Sequence, residues 1–197
     1  TDAWCTRDGE VVLDHDGRHR LFPRKAIAEV DRDDLKSHIP TLGELYATVG
    51  TDIPLSVDVK DPATFEPMIE VACDHGALDR LWVCHPDLEL LQQWRDLSPE
   101  VHLVNSTSLD ALPHGPERRA AELAAARIDA VNLRQQYWTG GLTTLFHRFD
   151  VLCFGWDAQH ERQIARLIDM GIDAVYSDFV DRMVAVAATF AGDSRPA

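Results

Sequence analysis

Asp2, His15, Asp58 and Lys60 are residues of types that could hold a hard cation, move a proton and neutralise an anion. Their surroundings in sequence suggest how they meet. Asp8-Gly9 separates two strand-like runs, Asp2 to Cys5 and Val11 to Asp14, and Asp-Gly between such runs signals a hairpin whose two central residues both need positive φ. A turn centred there pairs Arg7 with Glu10 and sets Asp2 opposite His15, with the two side chains on one face. Pro54 to Pro62 alternates strictly, with Leu55, Val57 and Val59 on one face and Ser56, Asp58 and Lys60 on the other. A surface Asp–His pair and an edge strand with one wet face would leave the same local patterns.

The elements around these residues favour a buried, parallel setting. Runs rich in Val, Leu and Ile follow at Leu55 to Lys60, Leu81 to Cys84, Val101 to Asn105, Ala130 to Leu133, Val151 to Gly155 and Ala174 to Ser177. Helical stretches alternate with them: Thr64 to Asp74, with Phe65, Met68, Ile69 and Ala72 on one face, then Leu88 to Arg95, Glu117 to Arg127, Leu142 to Phe149, Gln159 to Met170 and Arg182 to Phe190. Asp61-Pro62 and Pro86-Asp87 mark helix starts, and Gly171 marks a stop. This rhythm predicts βαβ units on a parallel sheet, in one domain over residues 1–197. Its strands make up about seven of the eight of a TIM (β/α)₈ barrel, which is thus incomplete at the N-terminus. A doubly wound sheet is the rival, but no Gly-rich turn follows the first strand. Barrel enzymes draw their catalytic groups from the C-terminal ends of strands, where Asp58 and Lys60 fall. An inward Asp beside an inward Lys reads as a metal ligand next to a phosphate anchor, and Asp58 with Asp2 would make half of a Mg²⁺ or Ca²⁺ site.

Composition narrows the partners. The 197 residues are 45% apolar and 26% charged, with a formal charge of -14. That balance argues against nucleic acid as a partner and against an anionic membrane surface, so an anionic substrate needs a locally positive site. No apolar run suggests a membrane span. Cys5, Cys73, Cys84 and Cys153 form no CxxC pair, and three lie in strand-like runs where a thiol acts as a small hydrophobe. Free thiols favour a reducing, cytoplasmic setting, with secreted and periplasmic locations left open because the chain opens inside a strand without Met.

Several motifs now fall into register with one known family. Asp2 through Asp16 resembles the signature of the glycerophosphodiester phosphodiesterases, in which a Glu-x-Asp pair precedes a Thr-x-Asp-Gly turn (here Thr6-Arg7-Asp8-Gly9) and a strand ends in His-Asp (here His15-Asp16). Ile39-Pro40-Thr41-Leu42-Gly43-Glu44 looks like the family's helix entry "IPTL-x-E", and Ser56-Val57-Asp58-Val59-Lys60 like its "IEIK" strand, with Asp in place of Glu. Gly155-Trp156-Asp157 resembles its "WTV" strand end, and Gly171 through Asp178 its "GVDGIITD" ending. The resemblance implies a (β/α)₈ barrel, one divalent cation (Mg²⁺ or Ca²⁺), a small-molecule glycerophosphodiester as substrate, and hydrolysis to glycerol 3-phosphate and an alcohol, a step of glycerol and lipid metabolism. By position, it makes Asp2 and Asp58 metal ligands, His15 one of two catalytic histidines, Lys60 the phosphate anchor and Trp156 a wall of the substrate pocket.

The chain also departs from the pattern. The family's first strand, with its His-Arg pair, and the Glu of Glu-x-Asp would both precede Thr1, so residues 1–197 alone are expected to be inactive. Cys84-His85-Pro86 stands where Ser-Phe-Asp is frequent, Phe179 where Pro usually follows Asp178, and a basic segment from Arg18 to Lys25 replaces an Arg-Thr-Thr stretch. A lysophospholipase D-like or sphingomyelinase D-like phosphodiesterase is the nearest alternative. A catalytically inactive barrel that binds a phosphodiester or a protein partner is the alternative of another class. His85 and His102, near strand ends, and Gln135, Gln136 and Trp138, after another strand, are further candidates for the pocket mouth. His19, His38, His75, His114, His147 and His160 read as surface residues, and Asp178 as a helix cap.

Overall fold

The computed structural model describes residues 1–19 and 25–193, so much of the basic segment expected between Arg18 and Lys25 lies outside the described residues. The chain forms two compact units, Thr1–Val104 and Asn105–Ala197. Unit 1 holds β1 (Asp2–Cys5), β2 (Val11–Leu13), the two-residue strands β3 (Arg18–His19) and β4 (Lys25–Ala26), α1 (Leu42–Val49), β5 (Leu55–Val59), α2 (Phe65–Asp74), β6 (Leu81–His85) and α3 (Leu88–Leu97). Strand β7 (His102–Ser106) straddles the boundary. Unit 2 holds α4 (Gly115–Ala125), β8 (Ala130–Arg134), α5 (Gly140–His147), β9 (Leu152–Trp156), α6 (Glu161–Asp169), β10 (Ala174–Val175) and α7 (Val180–Asp193).

From β5 onward strand and helix alternate, and the pairs β1–β5, β5–β6, β8–β9 and β9–β10 are parallel. The fold is α/β, an incomplete (β/α)₈ barrel, as the alternation of apolar runs predicts. In unit 1 the strand order is β6-β5-β1-β2, with β2 antiparallel to β1.

Side-chain chemistry sets the local starts. Thr41 and Glu44 form a capping box on α1: the Glu44 N–H donates to Thr41 Oγ1 at 3.0 Å and the Thr41 N–H to Glu44 Oε2 at 2.7 Å. Hydrophobic period alone does not reveal this eight-residue helix, but the Ile-Pro-Thr-Leu entry does. Asp61 accepts the Ala63 N–H before α2, and Asp87 accepts the N–H groups of Glu89 and Leu90 at the start of α3. The apolar face of β5 then closes against helices: Val57, Val59, Phe65, Met68 and Leu91 are buried, and Phe65 stacks on Trp94 with ring centroids 4.4 Å apart. Each such side chain contributes about 1.5–3 kcal/mol on burial. The opposite face of β5 is left to Ser56, Asp58 and Lys60.

All four cysteines are free thiols, and Cys84 and Cys153 are buried. Burial, with Asp173 close by, pushes the Cys153 thiol up to about 12. Among the described residues no helix is long and apolar enough to cross a membrane.

Candidate active site

Asp2 and Asp58 are register partners on the parallel strands β1 and β5, so their side chains leave the same face of the sheet. The pairing is fixed by the backbone: the Asp58 N–H donates to the Thr1 carbonyl at 2.8 Å and the Lys60 N–H to the Ala3 carbonyl at 3.3 Å. Ala3 and Val59, the next pair, turn the other way and are buried. Lys60 follows the end of β5, and its Nζ reaches Asp58 Oδ2 at 2.7 Å and Asp2 Oδ1 at 3.7 Å. Partial burial pulls the Lys60 ammonium toward neutrality, but the hydrogen bond to Asp58 and the charges of Asp58 and Asp2 outweigh it and raise its pKa. The three charged groups predicted to meet do meet, at the ends of two neighbouring strands.

His15 is placed differently from expectation. The predicted turn sets Asp2 opposite His15; the strands instead pair Ala3 with Leu13, Trp4 with Val12 and Cys5 with Val11, and the Asp14 N–H donates to the Asp2 carbonyl. Asp2 therefore faces Asp14. The cause lies in the turn. Only Gly9 takes positive φ, at +92°, so the loop is a three-residue connection instead of a two-residue type I′ turn. Thr6 drives that choice: its hydroxyl donates to Asp8 Oδ1 at 2.6 Å and accepts the Glu10 N–H at 2.9 Å, closing the longer loop.

His15 sits just past β2, with its side chain 92% exposed and its Nδ1 3.2 Å from Asp16 Oδ1. It stays within electrostatic reach of the pair. The Asp16 hydrogen bond, then the charge of Asp2, raise its pKa, while Lys60 opposes them. The loop that carries it is fixed: Asp14 Oδ2 accepts the N–H groups of Asp16 and Gly17, and Trp4 Nε1 donates to the Asp14 carbonyl at 2.8 Å. Gly17, at φ +64°, lies against the Trp4 ring so closely that a Cβ there would come within 2.2 Å of it.

The two other strand-end histidines differ in their surroundings. Cys84 pairs with Asp58 and its Sγ lies 3.5 Å from Ser56 Oγ, on the polar face of β5. His85, one residue on, sets its ring edge-on to Trp94 of α3, at 5.2 Å, accepts the Asp87 N–H on Nδ1 and lies within electrostatic reach of Asp58 and Lys60. Burial lowers its pKa. His102 opens β7 at its N-terminal end, stacked on Trp82, with Nε2 at 3.1 Å from the Asp79 carbonyl.

Unit 2 carries its own polar strand ends. Trp156 closes β9 and is 40% exposed, and Arg134, its register partner on β8, holds its guanidinium 5.6 Å from the ring centroid. Asp157 fixes Arg134 with bonds of 2.8 and 2.6 Å from Nε and Nη2, and takes positive φ (+63°), which is uncommon for a residue with a Cβ. Residue types alone give no hint of this Arg–Trp–Asp arrangement; register on β8 and β9 creates it. Trp138, read as a candidate for the mouth, is fully buried, with Nε1 donating to the Phe154 carbonyl at 2.9 Å. An indole with its one donor satisfied by a neighbouring strand is core. Asp178, read as a helix cap, accepts from Gln159 Nε2 at 2.8 Å.

The Asp2–Asp58 pair suits a hard divalent cation. Both donors are carboxylate oxygens, and a positive group, the Lys60 ammonium, already bonds Asp58 and lies near Asp2. Mg²⁺ in particular is commonly bound by one or two carboxylates, with water and phosphate oxygens completing the shell.

No protein-family model and no curated protein matches the sequence. Solved structures do match in fold. A protein assigned as a glycerophosphoryl diester phosphodiesterase from Agrobacterium tumefaciens aligns at TM-score 0.82 and 18% identity, over 98% of this chain and 84% of that one. A glycerophosphodiester phosphodiesterase from Parabacteroides distasonis aligns at TM-score 0.77 and 16% identity, over 96% and 83%. An Oleispira antarctica phosphodiesterase in complex with the product sn-glycerol-3-phosphate aligns at TM-score 0.79 and 20% identity, over 95% and 83%. This chain thus shares the fold of solved glycerophosphodiester phosphodiesterases.

Proposed function

We propose that this chain is a metal-dependent phosphoric diester hydrolase that cleaves glycerophosphodiesters to sn-glycerol 3-phosphate and an alcohol. The observation that carries the reading is the meeting of Asp2, Asp58 and Lys60 on one face at the ends of adjacent parallel strands. The fold shared with glycerophosphodiester phosphodiesterases supports it, as does the product bound to one of them.

Asp2 and Asp58 would hold one Mg²⁺ or Ca²⁺, which would supply Lewis-acid polarisation of the phosphoryl group. Lys60 donates to a non-bridging phosphate oxygen and offsets its charge, a contact the chain's overall acidity makes necessary. His15 handles a proton. Its Nδ1 is engaged by Asp16, leaving Nε2 to face the reacting group, and its raised pKa keeps that nitrogen protonated nearer neutrality. This suits a general acid: as water attacks phosphorus and the bond to the alcohol breaks, the leaving oxygen takes the proton from His15 Nε2. The attacking water's proton needs a second base, which the family pattern assigns to the histidine of its His-Arg pair. Trp156, half-exposed at the end of β9, has the flat apolar ring that the family pattern assigns to substrate binding.

Residues 1–197 alone are expected to bind sn-glycerol 3-phosphate in the presence of Mg²⁺ or Ca²⁺ without appreciable diester turnover. Preceded by a strand carrying the His-Arg pair, they are expected to release sn-glycerol 3-phosphate from glycerophosphocholine, with loss of release in chelator and in Asp58→Asn. Cation-dependent turnover by residues 1–197 themselves would overturn the division of labour between two imidazoles. Cleavage of lysophosphatidylcholine or sphingomyelin in preference to glycerophosphocholine would overturn the substrate assignment. Neither binding nor turnover by either chain would overturn the hydrolase reading.

A further inference from the structure

Unit 2 contains a second grouping of ligand atoms, of different chemistry. Helix α5 ends at His147, β9 opens with Leu152-Cys153, and Asp173 immediately precedes β10. His147 Nε2 lies 2.7 Å from Asp173 Oδ2, and the same oxygen accepts the Cys153 backbone N–H at 2.7 Å. An imidazole nitrogen, a sulfur and a carboxylate oxygen all lie within 4.8 Å of one another, the one such trio among the described residues.

We propose that His147, Cys153 and Asp173 form a binding site for a borderline-soft divalent cation of the Zn²⁺ type. The donor set selects the ion. Mg²⁺ and Ca²⁺ take oxygen ligands, whereas thiolate with imidazole favours zinc and its neighbours in the transition series. Three protein ligands with a water in the fourth position is a common zinc arrangement.

The surroundings prepare the ligands. Cys153 is fully buried within β9, which fixes the sulfur. Asp173 is tied to the same residue twice, through the Cys153 N–H and through its own N–H to the Cys153 carbonyl at 2.9 Å, so carboxylate and sulfur move as one piece. His147 and Asp173 are partly exposed, with side chains 38% and 30% accessible, leaving a path for the ion and a water. Zinc bonds of about 2.0–2.3 Å place ligand atoms roughly 3–4 Å apart, so the trio must tighten by about 1 Å and the His147–Asp173 hydrogen bond must open. The ion replaces the thiol proton: the Cys153 S–H breaks, an S–Zn bond forms, and one proton passes to solvent. A cation at this position reverses the local field that keeps the thiol protonated. Once bound, it ties the end of α5, the start of β9 and the start of β10 together, which raises stability by mass action.

The competing reading is an ion pair between His147 and Asp173 beside an inert thiol. Cobalt(II) separates the two, because cobalt held by thiolate absorbs in the near ultraviolet and cobalt on carboxylates does not. The purified protein titrated with Co²⁺ is expected to develop that band to one equivalent, and Zn²⁺ to abolish it. Cys153→Ser should remove the band. His147→Gln, a change at a partly exposed helix end, should weaken Co²⁺ binding by more than the ~10- to 100-fold typical of lost outer-shell partners. Asp58→Asn should leave the band unchanged, so failure of the phosphodiesterase reading and failure of this one are told apart. Absence of the band, or a band of equal strength and affinity in His147→Gln, would overturn the proposal.

Discussion

Lys60 is the side chain on which the candidate site turns, because it bonds Asp58, lies 3.7 Å from Asp2 and sets a positive charge beside them in a chain whose net charge is -14. A charged hydrogen bond of this kind is worth about 1.5–3 kcal/mol. Lys60→Met is therefore expected to weaken sn-glycerol 3-phosphate binding roughly 10- to 100-fold by calorimetry, while an equal affinity in the variant would remove Lys60 from the phosphate. His15 gives a second residue-scale check. Its imidazole is expected to titrate above the free value of about 6.5 by NMR. Asp16→Asn should lower that value, because the Asp16 hydrogen bond is the largest cause of the rise, and Lys60→Met should raise it by removing an opposing charge. The sign for stability follows: any contribution from the charged ring is present below the unfolded pKa and is lost as pH rises through the higher folded one. A His15 pKa unchanged in Asp16→Asn would contradict this placement. At this scale Asp58 and Lys60 were legible because strict alternation leaves polar residues on one face. His147 was not, because Asp173 stands 26 positions further on and reaches it only once β10 is laid beside β9.

Elements decide where these groups point. The Asp2–Asp58 pairing rests on the register of β1 against β5; the five alternating residues of β5 set only the face that Asp58 takes. The β1–β2 hairpin lies one residue out of the register that Asp-Gly predicts. A two-residue Asp-Gly turn requires positive φ at both residues, whereas the Thr6 hydroxyl stabilises a longer loop with Gly9 alone in that region. A threonine two residues ahead of Asp-Gly was the available signal, and its hydrogen bonding to both sides of the turn is what a propensity argument leaves out. The loop after β2 has a similarly specific requirement. Gly17→Ala would drive a methyl group into the Trp4 ring, at 2.2 Å from its nearest carbon, and force a side chain into a left-handed backbone. It is expected to cost about 1–3 kcal/mol, measurable as a lower urea midpoint, and to disturb His15 along with it. Thr41→Ala should cost about 1 kcal/mol through loss of the α1 cap, and no shift in the midpoint would remove the capping box from the account of that helix.

For the whole molecule, the barrel class was legible because buried parallel strands and amphipathic helices carry different periods that alternate along the chain. The division into two compact units was not, since each unit follows the same βα rhythm and no composition shift marks the boundary at Val104. A net charge of -14 also has a functional consequence at this scale. Cation binding should be favoured at low ionic strength and weakened as salt screens the field. The most direct test is calorimetric titration of Mg²⁺ and Ca²⁺ into the wild-type protein and into the Asp2→Asn, Asp58→Asn double variant, with Zn²⁺ excluded. Saturable binding of one ion that strengthens sn-glycerol 3-phosphate affinity, and that disappears in the double variant, is the expected result. Binding of equal strength in both proteins, or sn-glycerol 3-phosphate affinity indifferent to the cation, would contradict it.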